Sequence, residues 1–137
     1  MSELLISIGK YKFEADFEDN KAPVTCSKFR KLMPYSTKVI HVRWSGEGVW
    51  VPLGENHFDL PFENNTSYPS AGQIILYPGG ISEAEILISY GNVSFSSRVG
   101  QLAGNHFISI NEGVEQLNAM GKDILWNGAQ DVKIALH

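Results

Sequence analysis

Cysteine is nearly absent from this chain. Cys26 is the only one in 137 residues, which excludes an internal disulfide and any multi-cysteine metal site. Charge is sparse too. Asp, Glu, Lys and Arg make up 19% of the chain, short of the usual quarter, which argues against a coiled coil or a solvated disordered chain. The charge leans acidic, with 15 Asp and Glu against 11 Lys and Arg. A nucleic-acid partner, which needs a basic face for phosphates, is therefore not expected. No apolar run approaches the roughly 20 residues of a membrane span. Residues 1–10 lack a basic segment ahead of a long apolar core and read as a first strand, not a leader. These absences predict a cytoplasmic protein with no membrane partner. The four histidines are dispersed, with no short ligand spacing, so no metal site is expected. No serine sits in a G-x-S-x-G elbow, and no motif calls for a cofactor.

What is present is β-rich. Hydrophobic residues make up 43% of the chain, enough for the core of one domain spanning 1–137. Leu4 to Ile8 is β-like, and Tyr11 to Phe17 alternates, with Tyr11, Phe13, Ala15 and Phe17 on one face. Pro23 suits the first turn of a helix. Cys26, Phe29 and Met33 give that helix an apolar stripe, and Pro34 stops it. A buried, unreactive thiol is expected at Cys26. Val39 to Trp44 and Val49 to Leu53 read as a hairpin around a Ser45-Gly-Glu-Gly turn. Residues 54–70 read as a loop with room for one short strand. Gly72 to Tyr77 and Glu83 to Tyr90 are further strands, and Asn92 to Arg98 and Phe107 to Ile110 add β-like pieces. Asn111 is the expected N-cap of a second helix carrying Val114, Leu117 and Met120 on one face, and Val132 to Leu136 is a last strand. About eight strands with two short helices, and too few helices for βαβ units, predict a mainly β fold: a closed barrel or two stacked sheets.

Three patches then agree in order with a known family. Lys21-Ala-Pro-Val-Thr-Cys-Ser-Lys-Phe29 resembles the cyclophilin opening. Leu102-Ala-Gly-Asn-His-Phe-Ile-Ser-Ile110 is similar to that family's L-D-G-K-H-V-V-F-G segment, and Glu112-Gly-Val-Glu-Gln-Leu-Asn-Ala-Met120 resembles its following helix. The resemblance implies a closed cyclophilin-like barrel, closest to the compact bacterial cyclophilin-like proteins of unassigned function. It also implies a pocket on the barrel face for a peptide or small-molecule ligand. His106 matches the family histidine. Arg43 lies on the strand where the family arginine is expected, in Ile40-His-Val-Arg43 where the family has F-H-R. Glu85 falls near the family glutamine, Leu87 near a pocket phenylalanine, and Gln101 where a tryptophan would stand. With the aromatic walls rewritten, the resemblance implies weak or absent peptidyl-prolyl isomerase activity.

The residues carry their own argument. Twisting a prolyl amide means overcoming a barrier of about 18–20 kcal/mol, by binding the twisted state preferentially with a pre-aimed charge. Arg43 suits that role, because its guanidinium is permanently charged and rigid; the plain alternative is a half-exposed strand residue paired with Glu47 or Asp59. Alternation puts His41 and Arg43 on one strand face and Val42 and Trp44 on the other. Trp44 and Trp50 are candidate walls, and Tyr77, ahead of Pro78-Gly-Gly, stands where backbone and ligand can approach closely. Arg98 is either a second cation for an anionic ligand or a solvated side chain. His57 is a loop residue with no evident partner.

Two other readings compete. A small-molecule lyase, isomerase or hydrolase on the same barrel would use Glu47 at the hairpin tip with His106 or His41 as acid and base. A non-catalytic interaction module, including a homo-oligomer, would use Trp44, Trp50 and Phe58 as interface anchors.

Overall fold

The computed structural model describes residues 2–54 and 58–137; His57 lies outside them. In chain order the elements are β1 (Leu4–Ile8), β2 (Tyr11–Phe17), α1 (Pro23–Arg30), β3 (Tyr35–His41), β4 (Gly46–Pro52), β5 (Asn65–Thr66), β6 (Gln73–Tyr77), β7 (Glu85–Val93), β8 (Ser96–Ser97), β9 (Gly100–Gln101), β10 (Gly104–Glu112), a 3-10 turn (Val114–Gln116), α2 (Leu117–Asn127) and β11 (Gln130–Leu136).

Eight of these strands run antiparallel in the order β2-β1-β11-β3-β4-β7-β6-β10, and β10 pairs back onto β2 to close the barrel. The expected last strand is present but does not close the sheet: β11 lies between β1 and β3, and the seam is Ile108 to Glu112 of β10 against Phe17 to Glu14 of β2. Closure removes the unpaired edges that an open sheet would leave. β5 is a short flap on β10, and β8 and β9 form a separate small hairpin.

The pattern of side chains explains the closure. In β2, Phe13, Ala15 and Phe17 are buried while the residues between them face outward. The same alternation puts Ile6 and Ile8 of β1, Val49 and Val51 of β4, Ile86 and Ile88 of β7, and Val132 and Ile134 of β11 into one core. Each fully buried side chain of this kind contributes about 1.5–3 kcal/mol. The helices complete that core. Cys26 and Phe29 of α1 and Leu117, Met120 and Ile124 of α2 belong to it, with Phe29 edge-to-face against Phe17, Tyr35 and Phe107. The N-terminus of α1 is satisfied from a distance. A Glu63 carboxylate oxygen accepts from the Thr25 backbone N–H at 2.6 Å and from its hydroxyl at 2.6 Å, filling donors that the helix leaves open. The Cys26 thiol donates to the Phe107 carbonyl at 3.3 Å, and burial pushes its pKa up to about 12. That is the unreactive thiol the sequence predicts.

Two sequence expectations are corrected here. Asn111 does not cap α2. It lies within β10, where its side chain accepts from the Ser2 hydroxyl at 2.7 Å and donates to Asp16; the chain turns instead at Gly113, with φ of 90°, and enters α2 through the 3-10 turn. The Ser45-Gly-Glu-Gly turn is offset from its expected bounds, and the Val42 N–H donates to the Gly48 carbonyl across it. Strand β3 ends at His41, residues 42–45 make the turn, and β4 starts at Gly46. The register slips between Gly46 and Gly48 against β7. Gly46 holds φ of 105°, where an added Cβ would sit 2.7 Å from the Asn92 carbonyl oxygen, so this β-bulge requires glycine.

Candidate functional site

The inward set of β4, β6 and β7 fixes which residues point out. Trp50, Leu87 and Ile75 are register partners across these three strands, and Pro52, Glu85 and Tyr77 form the next row on the same face. Over this outer face a second apolar cluster forms. Ile75, Tyr77 and Leu87 are covered by Val93, Phe95 and Leu102, with Val42 and Trp50 packed at its margin. A cavity of about 420 Å³ opens beside it.

The cavity is built from four pieces of chain. The turn before β4 supplies Val42, Arg43, Trp44 and Ser45, β4 supplies Trp50 and Pro52, the entry to β7 supplies Ser82, Glu83 and Glu85, and the β8 hairpin supplies Ser96, Ser97 and Arg98. Ser45 ties two of these together. Its hydroxyl accepts from the Ser96 backbone N–H at 2.9 Å and donates to the Ser96 carbonyl at 3.1 Å. Tyr77 lies beneath, edge-to-face on Phe95. Its hydroxyl accepts from the Ile81 and Ser82 backbone N–H groups, which fixes the rim formed by residues 78–82.

The electrostatics are unusual for a protein surface. Glu85 is 7% exposed and has no cation or hydrogen-bond partner among the described residues. Burial first, and the Glu83 carboxylate second, push its pKa up to about 8, so at neutral pH it holds its proton. Arg43 and Arg98 also lack an ion-pair partner among the described residues; the expected pairing of Arg43 with Glu47 or Asp59 does not form. The indole nitrogen of Trp50 is buried without a hydrogen-bond partner among the described residues.

Of the residues predicted from sequence, the cavity brings together Arg43, Trp44, Trp50 and Glu85, with Arg98 as the second cation. Tyr77 and Leu87 form the buried floor of this region rather than its lining. The rest lie elsewhere. His106 is in register with Ile75, so it shares a row with Trp50 but stands three strands away, roughly 14 Å at ordinary strand spacing. It belongs to its own network. Ser109 donates to Glu18 at 2.6 Å, so the His106 Nε2–H donates to the Ser109 hydroxyl oxygen at 2.8 Å, while Nδ1 faces the Asn64 amide at 3.4 Å. Burial lowers the His106 pKa.

His41 and Arg43 do not share a face, because strand alternation stops at His41. Its Nε2 lies 2.9 Å from the Tyr90 hydroxyl and its ring packs edge-to-face on Tyr90, while Arg43, Trp44 and Val42 all turn to the cavity. Glu47 is held on the other side of the bulge. It accepts from the Asn92 backbone N–H at 2.8 Å and lies 3.6 Å from Lys122. These contacts, the Asn92 hydrogen bond first, lower its pKa. Gln101 is on the surface, donating to the Tyr68 hydroxyl at 2.7 Å. Ser45, Pro52, Ser82, Glu83, Ser96 and Ser97 were not singled out from the sequence. No local pattern marks them; only the strand register brings them to one place.

Among the described residues, no group of three or more His, Cys, Asp and Glu side chains is arranged to hold a metal, and no helix is long and apolar enough to cross a membrane.

A family model described as "Protein of unknown function (DUF3830)" matches residues 4–136. No curated protein sequence matches the chain. Among solved structures, the chain is similar to that of McbB in complex with tryptophan, at 14% sequence identity and a TM-score of 0.71, over 97% of this chain and 44% of that one. At that identity the likeness speaks to the fold alone. The chain spans less than half the length of this structural neighbour.

Proposed function

The chain belongs to the DUF3830 family, and from that premise we propose that it is a ligand-binding barrel whose outer-face cavity takes a small molecule. The observation that carries this reading is the meeting of Arg43, Trp44, Trp50 and Glu85 around one concavity of about 420 Å³. That volume falls in the range of small-molecule sites. Two indoles offer planar walls, and a guanidinium with no ion-pair partner among the described residues and a buried carboxyl offer polar contacts that fix orientation. The tryptophan complex of McbB supports a small aromatic metabolite as the first ligand to try. The cyclophilin resemblance supports a barrel-face pocket, but an isomerase site would need Arg43 beside His106 and an aromatic proline cup. With His106 engaged by Ser109 and Asn64, we expect no prolyl isomerase activity.

The test is a thermal-shift screen of a metabolite library that includes tryptophan, alongside a protease-coupled assay on an Xaa-Pro peptide. Stabilisation by a small molecule that is lost in Arg43→Gln supports the reading. An isomerase rate above buffer that is lost in the same variant would replace it with the peptide reading.

A further inference from the structure

Resting on that reading, we propose that the ligand is an aromatic monocarboxylate, its anionic end held by Arg43 and Arg98 and its ring laid against Trp44 and Trp50. The charge inventory of the cavity argues for this. Its ionisable lining residues are Arg43, Arg98, Glu83 and Glu85. Among the described residues neither guanidinium pairs with a carboxylate, although Glu83 and Glu85 stand on the same wall. Glu85 is buried between Pro52 and Tyr77 with no ion-pair partner among the described residues, and a carboxyl so placed keeps its proton. The cavity then carries two positive charges against one negative. Two such forks in a partly enclosed site select a carboxylate over an ammonium, since each charge-assisted hydrogen bond there is stronger than a neutral one. Neutral Glu85 adds a donor for a second oxygen.

Proton release from Glu85 would cancel the positive excess. Its carboxyl titrates near pH 8. The ionisable groups around it are Tyr77 from β6, Glu83 ahead of β7, Arg43 ahead of β4 and Arg98 after β8. Anion affinity therefore falls as pH rises through that value.

Isothermal titration with phenylacetate, phenylacetamide and phenethylamine tests the inference, because these probes share a ring and differ in charge. At pH 6.5 phenylacetate is expected to bind about tenfold tighter than the amide, the size of one charge-assisted contact, and the amine most weakly. Arg43→Gln or Arg98→Gln removes most of that tenfold advantage, weakening phenylacetate far more than the amide. Phenylacetate affinity drops above pH 8 in the wild type and not in Glu85→Gln. Amide or amine binding as tight as the acid, with heat lost on Trp50→Ala, overturns the carboxylate class and leaves the pocket standing. No heat from any of the three at millimolar concentration overturns both.

Discussion

Glu85 stands directly opposite Pro52 across the β4–β7 ladder. This pairing places a carboxyl in a wall whose neighbouring strand position has no side-chain donor and no backbone N–H to offer it. Tyr77, the partner on the other side, spends its hydroxyl on the 78–82 rim. The raised pKa of Glu85 is therefore a product of register, and it has a stability signature.

In the unfolded chain the Glu85 carboxyl titrates near 4.5, and in the fold near 8. Below pH 4.5 both states are protonated and the native form carries no penalty. Between those values the unfolded state ionises first, so stability falls as pH rises and levels off above 8. Glu85→Gln should remove that decline. At pH 7.5 it should be more stable than wild type by on the order of 1–3 kcal/mol, and equal to it below pH 4.5. Urea titrations across this range read both, and a variant that loses stability at pH 7.5 contradicts the assignment.

His106 bends the curve the other way. Its pKa is lowered, so its contribution is present above the unfolded value of 6.5 and is lost as pH falls through the folded one. Replacing it by Gln, which keeps a donor for Ser109, should flatten the acid limb of the stability curve below pH 6.5. An unchanged acid limb would mean that other groups govern it.

Trp50 carries a buried N–H without a partner among the described residues, and an unsatisfied buried donor costs about 1–3 kcal/mol. Trp50→Phe keeps an aromatic wall and removes that donor, at the loss of some apolar area. The expected result is an unfolding free energy equal to or above that of wild type, by up to about 1 kcal/mol. A loss of 2 kcal/mol or more, roughly what a core truncation costs, would show that the indole nitrogen has a partner in solution.

Helix α2 seats on the barrel through Gly121. A Cβ at that position would lie 2.3 Å from the Tyr90 ring, and Tyr90 is itself held by His41. Gly121→Ala should destabilise by roughly 1–3 kcal/mol from overpacking, despite the higher helix propensity of Ala. A neutral or stabilising result would mean that the helix shifts freely over β7.

Much of this fold was legible in the sequence because burial follows local period. The alternation of Tyr11 to Phe17 and the Pro23 helix start are properties of a few adjacent residues, and both appear as read. What failed depends on distant partners. The bulge that turns Glu47 toward Asn92 and Lys122 is set by β7, some 40 residues on. The end of alternation at His41 is likewise set by where β4 pairs. The candidate site was half legible. Arg43, Trp44, Trp50 and Glu85 do meet, but His106 is separated from them by Ile75 and Leu87 and by the Phe95 and Leu102 cover. The covering segment, residues 93–102, carries no periodic signal that would reveal its position.

The central claim is that the Arg43–Trp50–Glu85 cavity is where a ligand binds. Nitrogen–proton correlation spectra test it most directly, because the chain's three tryptophans give three indole N–H signals. Trp44 and Trp50 line the cavity, while Trp126 on α2 is 81% exposed and outside it. On titration with phenylacetate the account predicts that the Trp44 and Trp50 signals shift together and saturate while Trp126 stays fixed. Movement of Trp126 alone, or of backbone signals around His106 with both cavity indoles unchanged, would contradict it.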